Sequence, residues 1–108
     1  MPARLRVAAP AEVAAALENG DLRLLTQHFL AVLEQRAPGH SVEVRVPPYA
    51  AVQVIPGVRH TRGTPPAVVE MDAATWVALA TGELAWQDAH QVRASGERAD
   101  LSPYLPLT

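Results

Sequence analysis

The residues best suited to chemistry stand close together at Arg59, His60, Thr61, Arg62, Gly63 and Thr64. Gly63 permits an unusual backbone angle, so neighbouring N–H groups can converge on an anion as a nest. Arg59 and Arg62 add charge-assisted donors, and Thr61 and Thr64 add hydroxyls. A carboxylate or phosphate group would suit this cluster. The competing reading is a solvated connection between strands. All nine basic residues are Arg and none is Lys. A coding preference for Arg, Ala, Val and Pro accounts for that without recognition, so a single Arg carries little weight.

Other chemistries find less support. His28, His40, His60 and His90 are scattered, and no pair has the close spacing of a metal-ligand motif. Glu70 and Asp72 straddle Met71 as an acid pair, yet a helix N-cap explains Asp72 without chemistry. Ser95 lacks the flanking glycines of a nucleophile elbow. With no Lys, Gly57 and Gly63 do not make a phosphate-binding loop, and with no Cys there is neither a disulfide nor a thiolate zinc site. The expectation is a protein that is not an enzyme and has no cofactor and no metal. A net charge of -2 argues against a general nucleic-acid binder.

The chain of 108 residues fits one domain, residues 1–108, and about half of it is apolar, so it folds around a core. No run approaches the ~20 apolar residues of a membrane span. The first ten residues lack a long apolar segment, so the expectation is a cytoplasmic protein without a secretory signal.

The pattern reads as two helices, three strands, two helices, one strand and a tail. Arg4 and Arg6 alternate with Leu5 and Val7, which suits an edge strand or a docked extension. Pro10 starts a first helix that Asn19-Gly20 stops. Asp21 caps a longer one, whose stripe is Leu22, Leu25, Phe29, Val32 and Leu33, ending at Pro38-Gly39. Val42, Val44 and Val46 alternate with Glu43 and Arg45, and residues 50–55 alternate after Pro47-Pro48, so the two strands pair antiparallel. Residues 67–71 resume a strand. Asp72 caps a helix carrying Ala73, Trp76, Leu79 and Ala80, which Gly82 ends. Residues 84–90 suit a short helix with Trp86 and Ala89 inward, and residues 92–95 a half-buried strand. Segregated helices and strands define an α+β fold, with helices covering one face of a mainly antiparallel sheet of about four to five strands.

The order from Asp72 onward resembles the C-terminal half of the sterol carrier protein 2 fold. The residues carrying it are Asp72, Leu79, Ala80 and Gly82, then Val92, Ser95 and Gly96. Residues 46–53 and 59–66 resemble the small actinobacterial branch, the bacterial sterol carrier family proteins. Gln91 stands where such proteins often place a Gly. The resemblance implies a binding protein that holds a lipid or other apolar small molecule between sheet and helices. Phe29, Leu33, Val54, Trp76, Leu101 and Tyr104 supply apolar side chains for such a cavity. A second implication comes from the C-terminal domain of mycothiol-dependent maleylpyruvate isomerases, which has the same fold. On that reading the chain is a non-catalytic accessory module for a partner protein, and a third reading is a domain with a collapsed cavity that only forms a homodimer.

Overall fold

The computed structural model describes residues 5–57, 67–95 and 99–108. After an extended arm, residues 5–9, come helices α1 (Pro10–Asn19) and α2 (Leu22–Arg36). Strands β1 (Val42–Val46), β2 (Ala50–Val54) and β3 (Ala67–Glu70) follow. Helix α3 (Ala73–Thr81), a 3-10 turn at Trp86–Asp88, strand β4 (Arg93–Ser95) and a second 3-10 turn at Ser102–Tyr104 complete the order. This is an α+β architecture, as the segregation of periodicities predicts.

The helices begin where the sequence offers acceptors. The Asp21 carboxylate accepts the Leu24 N–H at 3.1 Å and starts α2. The Asp72 carboxylate accepts the Thr75 N–H at 3.2 Å and the Thr75 hydroxyl at 2.6 Å. That hydroxyl bond, with the backbone N–H groups, holds the Asp72 carboxyl below its ordinary pKa. At α1 the reach is reversed: Ala9 has no side-chain oxygen, and Glu12 accepts the Ala9 N–H at 3.1 Å.

The sheet has four strands in the order β2-β1-β3-β4. β1 pairs antiparallel with β2, opposing Val44 to Val52, and β3 pairs antiparallel with β4. The central β1–β3 pairing is parallel, with Val44 opposite Val69. That geometry follows from topology: α2 feeds β1 and the β1–β2 hairpin turns back, so β3 joins the far side of β1. Inward Val42, Val44, Val46, Val52, Val54 and Val69 are all buried. α2 packs on β2 and α3, and its Leu25, Phe29, Leu30 and Leu33 close the core with Trp76 and Leu79 of α3. The outward side is polar. Arg45 bonds Glu43 and faces Glu70 across β1–β3, and Glu70 faces Arg93 across β3–β4.

Three local expectations need correction. β2 ends at Val54, because Ile55 has φ 71°. A β-branched residue there is strained, and three hydrogen bonds hold it. Its N–H donates to the Ala37 carbonyl at 2.6 Å, and its own carbonyl accepts the Ser41 N–H at 3.2 Å and the Ser41 hydroxyl at 2.7 Å. Gly39 completes this junction: a Cβ there would lie 2.2 Å from the Ile55 oxygen. The short helix expected at 84–90 contracts to one 3-10 turn, leaving Trp86 half-buried while Ala89 is buried. β4 begins at Arg93, and its three residues are exposed; half-buried Val92 precedes it. The tail docks as expected, with the Leu107 N–H donating to the Ala80 carbonyl at 2.8 Å and Leu101 and Leu107 buried.

Candidate functional site

The interior between helices and sheet is built by spacing. Phe29 and Leu33 stand one helical turn apart on α2, Val54 points inward from β2, and Trp76 is the bulkiest residue of α3. The tail brings Leu101 beneath them. These five are 0–1 % exposed and belong to one apolar core, against which half-buried Tyr104 packs. Five of the six residues that the sequence nominates for a cavity are thus core residues, and the sixth packs against the core.

Two polar groups sit in that layer. The Trp76 indole N–H donates to the Thr26 carbonyl at 3.3 Å, tying α3 to α2 and satisfying a buried donor. The Thr26 hydroxyl is fully buried and has no partner among the described residues. A buried hydroxyl left unpaired costs about 1–3 kcal/mol.

Open concavities lie at the margins. One, of about 600 Å³, runs between the arm and the start of α2, lined by Leu5, Arg6, Ala8, Asp21, Arg23, Leu24, Gln27 and His28. There the Ala8 N–H donates to His28 Nδ1 at 2.9 Å. A backbone N–H only donates, so Nδ1 is bare and the ring proton sits on Nε2. Burial pushes the His28 pKa down. Its ring meets Phe29 edge-on, with centroids 4.8 Å apart. The Gln27 amide reaches the Tyr49 carbonyl at 3.5 Å, and Arg6 pairs with Glu12 at 3.3 Å. A smaller groove of about 280 Å³ lies between the tail and the Trp86 turn, lined by Leu84, Trp86, Leu105 and Pro106 among others.

The anion cluster expected at Arg59, His60, Thr61, Arg62 and Thr64 lies outside the described residues. Sequence reasoning left out His28, which it set aside with the scattered histidines, and Thr26, which lies within the apolar stripe of α2. Only the position of Thr26 on the inward face signals its burial. Nothing local signals that residue 8 meets residue 28.

A small α+β protein with one sheet face roofed by helices and a tail docked on α3 defines a class of single-core folds. Residues 18–107 match the family model described as bacterial SCP ortholog, and the chain belongs to that family. No curated protein matches the chain. Among the described residues, no helix is long and apolar enough to cross a membrane.

Proposed function

We propose that this protein holds a lipid or other apolar small molecule between its helices and its sheet, acting in the cytoplasm by binding and not by catalysis. Membership of the bacterial sterol carrier family carries this reading. The apolar core that holds Phe29, Leu33, Val54, Trp76 and Leu101, with Tyr104 against it, is consistent with such a guest. Ligand sites of this kind are mostly apolar, with few polar groups to set orientation, and enclose about 300–1,000 Å³. Because these residues are buried in the ligand-free chain, a guest reaches them when the helices and tail separate from the sheet. Binding then selects the opened form and stabilises it by mass action.

Native mass spectrometry tests this. The purified protein is stripped of bound lipid, then mixed with members of a fatty-acid and sterol panel. The expected result is a one-to-one complex with at least one member, whose guest is released on denaturation. The bare chain with every member would contradict the reading. The same spectra count subunits.

A further inference from the structure

We infer that residues 5–9 form an acid-released strap, fastened to α2 by the Ala8–His28 hydrogen bond and covering one flank of the core. The inference goes beyond ligand binding and needs no ligand for its test.

The fastening is one directional bond between residues 20 positions apart. Leu5 packs at the edge of the core and Ala8 is buried, while Val7 faces solvent. The other polar links of the arm run to α1. Glu12 takes the Ala9 N–H and pairs with Arg6 in an exposed setting where such pairs contribute little. Among the described residues, the polar hold of the arm on α2 is therefore His28 Nδ1.

That atom accepts only while unprotonated. A proton on Nδ1 sets two N–H groups facing each other, so the attraction becomes a repulsion and Ala8 loses its acceptor. Histidine is the side chain whose charge ordinarily changes between about pH 5 and 8. The charged groups lining the groove with it are Arg6 from the arm and Asp21 and Arg23 from the start of α2, with Glu12 of α1 bound to Arg6. Burial of the ring, which meets Phe29 edge-on, opposes its charged form. That keeps the strap fastened at neutral pH and moves release to acid. Release frees Leu5 and Ala8 from the wall of the 600 Å³ groove and opens the Leu24 and Phe29 side of the core.

The test is amide hydrogen exchange by NMR, read as protection factors to remove the intrinsic pH dependence. In the wild-type chain the Ala8 amide should lose at least about tenfold protection as the His28 ring protonates, while the Leu33 amide keeps its own. A His28→Asn variant places an acceptor oxygen near the Nδ1 position without a titrating group. It should hold Ala8 equally well across the range. Ala8 protection that stays flat while the wild-type ring titrates would overturn the proposal. So would loss of protection in His28→Asn at the same pH as in the wild type.

Discussion

The interior and the arm groove use different physics within one small fold. The interior is held by apolar area: valines from three strands, four large residues of α2 and Trp76, with no charge among them. The arm is held at its margin by an imidazole acceptor and a solvent-exposed ion pair. Hydrophobic burial is non-directional and insensitive to pH, whereas a single hydrogen bond is directional and fails when its acceptor takes a proton. The interior therefore sets how stable the protein is, and the margin sets how that stability responds to conditions.

The sharpest way to break this contrast is to empty the interior. Phe29→Ala should cost about 3–5 kcal/mol, from lost burial and the cavity left behind. Denaturant unfolding would measure it, and a change below about 1 kcal/mol would place the load elsewhere. Gly39→Ala strikes the joint between α2 and the sheet, because the added Cβ must displace the Ile55 carbonyl. A loss of about 2–3 kcal/mol is expected. Thr26→Val runs the other way. It removes an unpaired buried hydroxyl at constant shape, so a gain of about 1 kcal/mol is expected in the ligand-free protein.

The smallest effect belongs to the margin. The folded protein disfavours protonated His28, so the unfolded chain binds more protons below about pH 6.5. Stability from this group is complete above that pH and is lost as pH falls through the lower folded value. A fall in melting temperature should begin below about pH 6.5 in the wild type and be absent in His28→Asn. Asp72 and Glu12, both held below their ordinary values by hydrogen bonds, extend the loss in the same direction in stronger acid.

Much of this was legible in the sequence. Asp21 and Asp72 as caps, the alternating valines of β1 and Gly82 at the end of α3 are local signals, and local signals set α1 to α3 and β1 to β3. The clearest failure is one where distant partners decide. Ile55 is a good strand former, yet Ala37 and Ser41 hold it in a left-handed turn. The expected helix at 84–90 has Leu84 and Trp86 drawn toward the tail, where Leu105 and Pro106 share their groove. Val92 is half-buried while the three residues of β4 are exposed. For the arm the alternation leaves an edge strand and a docked extension open; residues 5–9 dock as an extension, on a histidine 20 residues away. For the candidate site, apolar character and convergence could be read from residue types. The volume among them could not, because it depends on how closely α2, α3 and the tail approach the sheet.

The most direct test of the binding function uses Trp76 as the reporter, since it sits at the centre of the apolar layer and is bonded to α2. In a Trp86→Phe chain, Trp76 is the one remaining tryptophan. Stripped protein would be titrated with fatty acids of increasing length and with a sterol, while Trp76 emission and melting temperature are followed. The account predicts a saturable change in emission with a parallel rise in melting temperature for at least one member of the series. Unchanged emission and melting temperature across every member would contradict it.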